Sequence, residues 1–394
     1  MISSSDLTLG GLTGRAAETA AIRRALSQSR LVTVTGLPGV GKTATCIAAA
    51  MSAGGRYRDG VTLIRLDALT DEALLPHSIA AAMLLPDTFD ASPLTTLTDQ
   101  LRARQVLIVL DTCEHLLGAC AALASAIGEI CPDVRILATS REPLRVPGEE
   151  VLTLLPLSQR DSVRLFNQHA AAWGAALARK DAGLSERTDP GKQRTEPGTQ
   201  RTDPGKRSTD AGKRSTDLGE QSTVQAICGR LDGLPLAIGM AARQLATGSL
   251  DALLAGLEGG YDFLSDPAAP VARHRTLQAA IGWSHQLCTP AERLLWARLA
   301  VFDGSFSIKD CQEVCATTHL ADETIAVGVT MLADRSLLLR AADSPDNGSQ
   351  ACFMMPSTIR AYGLAMLRRL AEDEEMRRRY RNWRSGPRRD ACWH

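Results

Sequence analysis

Short hydrophobic runs alternate with amphipathic stretches over residues 31–175. The runs that predict strands cover residues 31–35, 61–66, 105–110, 134–139 and 151–155. Helical periodicity fills the intervals at residues 42–53, 68–85, 94–104 and 115–130. Strands that alternate with helices form a parallel sheet with helices on both faces. The pattern therefore predicts an α/β domain, to which we assign residues 1–175.

The second half of the chain has a different pattern. Helical periodicity recurs at residues 224–260, 276–287, 290–301 and 322–334. Two β-prone segments follow, 336–340 and 351–355, with Asp346-Asn347-Gly348 between them as a turn. Helices followed by a hairpin are typical of a winged-helix domain. We therefore expect an all-α helical domain at 224–287, a winged-helix-like domain at 288–375 and a basic C-terminal tail at 376–394.

A seven-residue repeat separates the two halves. Residues 187–223 repeat units such as Arg-Thr-Asp-Pro-Gly-Lys-Gln, with turn-forming residues and no apolar a and d positions. A segment without hydrophobic residues to bury cannot offset its ordering entropy. We predict a disordered insertion over residues 176–223, and a binding role for it is the alternative.

The strongest chemical signal lies between the first predicted strand and the first predicted helix. Residues 36–43 read Gly-Leu-Pro-Gly-Val-Gly-Lys-Thr, which matches the P-loop pattern G-x-x-x-x-G-K-[ST]. The glycines let backbone N–H groups turn toward phosphates, the helix N-terminus adds positive potential, and the lysine supplies a charge. The predicted nucleotide-binding residues are Gly36, Gly39, Val40, Gly41, Lys42, Thr43 and Ala44.

Residues with candidate catalytic or metal-binding roles follow two further predicted strands. Asp111 follows the hydrophobic run at 106–110, as in a Walker B motif, and would hold Mg²⁺ together with the Thr43 hydroxyl. Arg141 follows the run at 136–140 and would face the γ-phosphate, although a solvated loop arginine is the simpler alternative. Lys42, Asp111 and Arg141 are therefore the candidate catalytic residues, with Glu114 as a further candidate, and Thr43 and Asp111 are the candidate metal ligands.

These motifs occur together with Gly233-Leu234-Pro235-Leu236-Ala237. In this combination the chain resembles the NB-ARC group of STAND-type signalling ATPases. It is most similar to the ATPase core of bacterial regulators of the LuxR and antibiotic-regulatory (SARP-like) type. The stretches that carry the resemblance are 12–15, 110–116, 138–144, 228–237 and 274–284.

The resemblance implies an order of domains and further site residues. It implies a P-loop NTPase domain, then a helical domain and a winged-helix domain. Gly14 and Arg15 would lie near the base and ribose, and Pro235 would pack on the adenine. Family members are switches that ADP holds closed and that exchange for ATP opens, which requires different nucleotide affinities in the two states. From residues alone, Gly-Leu-Pro is only a turn that enters a helix.

Two departures from the family pattern bear on activity. Thr112 follows Asp111, where many P-loop ATPases place the acid that activates water, and Glu114 is the nearest carboxylate. We therefore expect ATP hydrolysis to ADP to be slow or absent. Ser357 occupies the winged-helix position where relatives carry an acid, so we expect a weaker ADP-bound closed state.

Charge and cysteine content exclude some other classes. The 44 Lys and Arg balance the 44 Asp and Glu, so the chain lacks the basic excess typical of nucleic-acid-binding proteins. Its ten cysteines include no C-x-x-C pair, and we expect buried thiols, with a metal pair at Cys311 and Cys315 as the alternative. The start of the chain does not read as a signal peptide, and no apolar run is long enough to span a membrane. These observations predict a cytoplasmic location without membrane contact.

Three functions remain open at this point. The first is a nucleotide-dependent regulatory switch with a protein partner or self-association. The second is a simple P-loop ATPase, and the third is a nucleotide-stabilised interaction module without turnover. We expect no direct DNA binding from this chain alone. The arginine-rich segment 377–389 leaves a nucleic-acid tail open, and a truncated or degenerate family member lacking its effector domain is also possible.

Overall fold

The computed structural model describes residues 12–86, 92–185, 210–269, 271–318, 320–340 and 351–386. Five parallel strands form the first sheet, in the order β2-β3-β4-β1-β5. They are β1 (Leu31–Gly36), β2 (Val61–Arg65), β3 (Leu107–Asp111), β4 (Arg135–Thr139) and β5 (Glu149–Leu154). The carboxyl ends of parallel strands meet at one edge of a sheet, so the residues that follow β1, β3 and β4 lie close together.

Helices cover both faces of this sheet. They are α1 (Ala16–Gln28), α2 (Lys42–Ala53), α3 (Leu75–Ala82), α4 (Pro93–Leu101), α5 (Leu117–Ile130) and α6 (Gln159–Ser185). Successive residues of β3 point to opposite faces: Val109 packs in the core with residues of α1 and α2, and Ile108 in the core with residues of α3, α4 and α5. The α/β fold predicted from the sequence is confirmed.

Nine further helices and a small sheet follow within the described residues. The helices are α7 (Asp210–Arg230), α8 (Pro235–Gln244), α9 (Leu250–Gly259), α10 (Leu277–Gln286), α11 (Pro290–Leu299), α12 (Ile308–Cys315), α13 (Asp322–Asp334), α14 (Ser357–Arg369) and α15 (Asp373–Arg384). The antiparallel sheet has the order β6-β8-β7 and is formed by β6 (Phe306–Ser307), β7 (Leu339–Arg340) and β8 (Cys352–Met354). The predicted helical region and winged-helix fold are therefore confirmed, while the turn at 346–348 lies outside the described residues.

The helix predicted at 68–85 is shorter than expected. The helix α3 begins at Leu75, after a 3₁₀ turn at Glu72–Leu74. Asp71 caps that turn by accepting a hydrogen bond of 3.0 Å from the Ala73 backbone N–H. Pro76 has no N–H and fits only the first turn of a helix, so it fixes where α3 can start.

Both ends of the range 176–223, predicted to be a disordered insertion, are helical in the structure. The helix α6 continues through Ser185 and α7 starts at Asp210, while residues 186–209 lie outside the described part of the chain. The first three repeats carry Pro190, Pro197 and Pro204, whereas the last two carry Ala211 and Leu218 at the equivalent position. Loss of the prolines removes the obstacle to a helix over the last repeats.

The tail predicted to begin at residue 376 is also helical at first. Met376 and Tyr380 of α15 are buried, and Tyr380 and Trp383 pack their rings against Phe302. Arg378 forms an ion pair with Glu375. The basic segment as far as Arg384 is therefore packed on the winged-helix domain, and residues 387–394 lie outside the described residues.

Eight cysteines follow the expectation of buried thiols, whereas Cys352 in β8 is disulfide-bonded. Eight free cysteines are buried, Cys311 and Cys315 among them. No three His, Cys, Asp or Glu side chains of the described residues are placed to share a metal ion. In the same residues, no helix combines the length and apolarity that crossing a membrane requires.

Candidate phosphate-binding site

The loop between β1 and α2 has the backbone conformation that its glycines allow. Gly36, Gly39 and Gly41 have φ angles of +146°, +76° and +96°, which L-residues rarely adopt. A Cβ atom on Gly36 would lie 2.5 Å from the carbonyl oxygen of Leu154 in β5. The sequence thus folds into a tight turn at the carboxyl edge of the sheet, ahead of the helix α2.

The Lys42 ammonium group lies along this turn. Its Nζ donates hydrogen bonds to the carbonyl oxygens of Gly36 (2.7 Å) and Leu37 (3.1 Å). Burial, and then repulsion from Arg141, lower the pKa of Lys42 to about 8. Among the described residues, this half-buried cation donates hydrogen bonds to carbonyl oxygens, and an anionic ligand would favour its charged form.

Asp111 lies beside the first turn of α2, at the end of β3. Its Oδ1 accepts hydrogen bonds from the hydroxyls of Thr43 (2.6 Å) and Thr139 (2.7 Å). Burial raises the pKa of Asp111, and these hydroxyl hydrogen bonds oppose the rise. The structure thus brings together Thr43 and Asp111, the two residues predicted to hold Mg²⁺. Carboxylate and hydroxyl oxygens are hard ligands of the kind that Mg²⁺ prefers, so this pair fits the metal.

Arg141 is paired with Glu114 within the protein. Its Nε donates to Glu114 Oε1 at 3.0 Å, and the two side chains are only 8% and 6% exposed. Burial by itself would raise the pKa of Glu114, but Arg141 and Lys42 outweigh it and hold this pKa below its ordinary value. Burial lowers the pKa of Arg141, which is opposed by Glu114. Arg141 Nη1 is buried and forms no hydrogen bond with the described residues.

Gly14 and Arg15 lie next to the phosphate loop and α6. Arg15 donates from Nη2 to the carbonyl oxygen of Val40 (2.9 Å) and forms an ion pair with Glu18 (2.8 Å). Gly14 has a φ of +73°, and a Cβ there would come within 2.7 Å of Asp161 in α6. Arg15 therefore supports the phosphate loop from behind, and Gly14 allows α6 to approach. Ala44 lies in the first turn of α2 without a polar contact of its side chain.

The turn that precedes α8 rests directly on the phosphate loop. The backbone N–H of Leu236 donates to the carbonyl oxygen of Gly39 at 3.2 Å. A Cβ on Gly39 would lie 3.0 Å from Leu236 Cβ, and one on Gly41 would lie 3.8 Å from Pro235 Cγ. Pro235, predicted to cover the adenine, is thus next to the loop.

Sequence reasoning missed two residues of this site, Arg273 and His274. They belong to the 3₁₀ turn Ala272–His274 ahead of α10. Arg273 Nη2 donates to the Thr112 hydroxyl at 2.8 Å, beside Asp111. Burial, and then repulsion from Arg273 and Arg141, lower the pKa of His274 to about 4. The signal available in the sequence was the cluster Arg273-His274-Arg275, which nothing local connects to the loop.

Ser357, which stands where relatives carry an acid, lies at the start of α14 and contacts Asp232. The backbone N–H groups of Ser357 and Thr358 donate to the two carboxylate oxygens of Asp232, at 2.9 and 2.7 Å. A carboxylate from the segment just before the Gly-Leu-Pro turn therefore caps the start of α14.

Comparisons with known proteins agree with this geometry. No family model matches the chain. An uncharacterized protein of Mycobacterium tuberculosis is 31% identical over 376 residues, which cover 95% of this chain and 85% of the relative. A protein of the same organism named as an HTH-type transcriptional regulator is 32% identical over 348 residues, 88% of this chain and 35% of the relative. The chain thus spans about a third of the length of such regulators.

A solved structure supports the fold. The Walker-type ATPase of Pyrococcus abyssi superposes with a TM-score of 0.53 at 12% sequence identity, over 90% of this chain and 96% of that one. At this identity the likeness concerns the fold alone. The chain therefore has a P-loop-type α/β core, is related to the mycobacterial HTH-type regulators, and belongs to the family of the uncharacterized Mycobacterium tuberculosis protein.

Proposed function

We propose that this protein is a STAND-type regulatory switch of the NB-ARC and LuxR-related kind, which binds ATP or ADP with Mg²⁺. In this proposal Lys42 and the backbone of the phosphate loop bind the phosphates, and Thr43 and Asp111 hold the metal. When bound, Mg²⁺ would neutralise charge on the β- and γ-phosphates. Exchange of ADP for ATP changes how the helical and winged-helix domains sit on the nucleotide-binding domain.

The observation that carries the proposal is the contact between Leu236 and Gly39. The hydrogen bond of 3.2 Å joins the loop that would bind phosphate to the turn that begins the helical domain. A ligand that changes the shape of this loop must therefore change the fit of α8 on it. A nucleotide shifts the domain equilibrium only through different affinities for the two arrangements, and this contact offers a place where they can differ.

The same geometry supports slow or absent hydrolysis. Thr112 occupies the position after Asp111, and its hydroxyl accepts the hydrogen bond from Arg273. Glu114, the nearest carboxylate in sequence, is engaged by Arg141. A carboxylate held by a buried guanidinium has a lowered pKa and is a weak base for a water molecule. A plain ATPase and an interaction module without turnover remain the competing functions, and a turnover assay separates them.

The proposed partner is another protein or a second copy of this chain. The names of the mycobacterial relatives suggest a role in transcriptional control, but the DNA-binding function they imply is not assigned to this chain. In a winged-helix fold the third helix commonly enters the DNA groove, and here α13 contains Asp322, Glu323 and Asp334 but no Lys or Arg. Such a helix would repel the phosphate backbone. We therefore expect no salt-dependent shift of duplex DNA.

The decisive test is the nucleotide carried by purified protein. Denatured protein is analysed by mass spectrometry for ADP and ATP, in the wild type, Lys42→Ala and the matched control Lys309→Ala. Lys309 is exposed on α12, far in sequence from the loop. We expect nucleotide in the wild type and the control and little in Lys42→Ala. Equal occupancy in all three proteins, or none in any with no binding on addition, would refute nucleotide binding at this loop.

A second experiment tests the switch itself. Small-angle X-ray scattering and size-exclusion chromatography are measured with ADP and with a non-hydrolysable ATP analogue. The switch predicts a larger radius of gyration or a larger assembly with the ATP analogue. Identical profiles for the two nucleotides, with binding of both established, would leave a nucleotide-stabilised interaction module as the function.

A further inference from the structure

Arg273 reaches the metal end of the phosphate site from outside the nucleotide-binding domain. Its Nη2 donates to the Thr112 hydroxyl at 2.8 Å, and its guanidinium lies 5.8 Å from the ring centre of Trp283 in α10. Thr112 directly follows Asp111 and has a φ of +72°, so the chain turns sharply there. The turn presents the Thr112 side chain to the helical domain.

The partner of Arg273 is a neutral hydroxyl. Among the described residues Arg273 forms no ion pair, whereas Arg141 is paired with Glu114. Its charge nevertheless acts across the site: it opposes the rise that burial causes in the pKa of Asp111, and it adds to the lowering that burial causes in the pKa of Arg141. A guanidinium without a carboxylate partner beside Asp111 is available to bind an anion.

The neighbouring residue does not compete for that anion. His274 has its pKa lowered to about 4, chiefly by burial, and is therefore neutral near pH 7. Lys42 lies at the other end of the loop, where its Nζ is bound to Gly36 and Leu37. Arg273 is thus the cation that the helical domain adds next to Asp111.

The position of Arg273 corresponds to the part of a nucleotide that differs between ATP and ADP. Thr43 and Asp111 would hold a Mg²⁺ ion, which would neutralise charge on the phosphates furthest from the base. The third phosphate would then lie toward the end of β3, where Thr112 and Arg273 are. With ADP, Arg273 would keep its neutral partner, and with ATP it would gain a charged one.

We propose that Arg273 is a specificity-determining residue that binds the third phosphate and makes the site discriminate ATP from ADP. This inference rests on the proposed nucleotide binding at the loop. Because Arg273 is four residues before α10 and lies over Trp283, its movement toward a phosphate displaces the start of that helix. Binding of the third phosphate is thereby coupled to the domain that carries α10.

The test compares the affinities for ATP and ADP, measured by isothermal titration calorimetry with Mg²⁺, in the wild type and in Arg273→Gln. Loss of a charge-assisted contact to the third phosphate should weaken ATP by about tenfold to a hundredfold and leave ADP nearly unchanged. The matched control is Arg275→Gln, because Arg275 is exposed and bonds only the Ala269 carbonyl among the described residues. The control should keep both affinities.

A second variant keeps the test decisive if Arg273→Gln fails to fold. Arg273→Lys retains the charge but not the planar fork of donors, so its ATP preference should fall by a smaller factor. An ATP-to-ADP affinity ratio equal to that of the wild type in the folded variants would overturn the role of Arg273. If the wild type binds neither nucleotide, the proposed function itself fails, which is a different result.

Discussion

The carboxylate of Asp232 accepts two hydrogen bonds from Thr358, one from the backbone N–H and one from the hydroxyl, each 2.7 Å long. Asp232 lies in the turn just before Pro235, and Thr358 is in the first turn of α14. Since the first N–H groups of a helix lack partners within the helix, an acceptor supplied from elsewhere stabilises its start. The turn that rests on the phosphate loop is therefore also the cap of a winged-helix element.

Removal of this cap should loosen the winged-helix domain. We expect Asp232→Ala to lower the free energy of unfolding by about 1–3 kcal/mol, because it leaves buried donors without acceptors. Urea unfolding followed by circular dichroism measures the change. Asp251→Ala is the control, since Asp251 is exposed in the first turn of α9. A loss of the same size in both variants would contradict a specific role for Asp232.

Gly39→Ala should weaken the closure of α8 on the loop. An alanine must adopt a φ near +76°, and its methyl group would lie 3.0 Å from Leu236 Cβ. We expect a loss of about 1–2 kcal/mol in the free energy of unfolding, from backbone strain alone. Thermal unfolding detects this as a lower Tm.

The control for that variant is Gly128→Ala in α5. No heavy atom lies within 4 Å of the methyl position at Gly128, and its φ is helical. Alanine is favoured over glycine in a helix by up to about 1 kcal/mol, so this variant should be stable or slightly stabilised. A Tm for Gly39→Ala at or above that of Gly128→Ala would show that the loop tolerates a side chain.

The buried pair of Arg141 and Glu114 should be strongly coupled. Glu114→Gln alone leaves a buried guanidinium without its partner and should cost about 3–5 kcal/mol, as when other buried pairs are broken. Arg141→Met with Glu114→Gln should be less destabilised than the sum of the single variants. A double-mutant cycle in urea gives the coupling, and strict additivity would contradict the pair.

The ion pair of Arg141 and Glu114 also predicts that the free energy of unfolding depends on pH. The pKa of Glu114 is lowered in the folded protein, so its contribution to stability is fully present above the unfolded pKa of about 4.3. That contribution is lost as the pH falls through the folded pKa. In urea unfolding, the wild type should lose more stability than Glu114→Gln between pH 5 and pH 3. Parallel pH profiles for the two proteins would argue against the lowered pKa.

Nucleotide binding should take up protons at mildly alkaline pH. The pKa of Lys42 is about 8 in the free protein, and a neighbouring polyphosphate would raise it. Affinity should therefore decrease as the pH rises above 8. Calorimetry at pH 8.5 in buffers of different ionisation enthalpy measures the uptake. Lys309→Ala should show the same uptake as the wild type, and binding without a buffer effect in either protein would refute the assignment to Lys42.

The α/β half of the molecule could be predicted because its signals are local. The hydrophobic run before Asp111 and the glycine pattern before Lys42 each define a strand end, and parallel strands bring such ends to one edge. The contact between Arg273 and Thr112 joins two residues that are 161 positions apart in the sequence. The contact between Asp232 and Thr358 spans 126 positions. A periodic pattern of hydrophobic residues cannot predict such pairs, because they depend on how separately folded parts of the chain pack together.

Boundaries were less predictable than elements. Residues 68–74 have helical periodicity, yet Pro76 sets the start of α3, since proline fits only the first turn. The strand β6 contains two residues, too few to produce an alternating pattern, and its pairing with β8 depends on the fold around it. Arg273 and His274 could not be assigned to the site for the same reason: their position also depends on how the rest of the chain folds around them.

The contact between Leu236 and Gly39 uses main-chain atoms on both sides. Side-chain replacement at either position can alter the fit around it but leaves the donor and the acceptor in place, with proline at 236 as the exception. Substitutions can therefore change the strength of this hydrogen bond by altering the residues around it, but they seldom remove it. In the proposed switch, such changes would adjust in small steps how long the nucleotide is retained, while the main-chain contact itself stays in place.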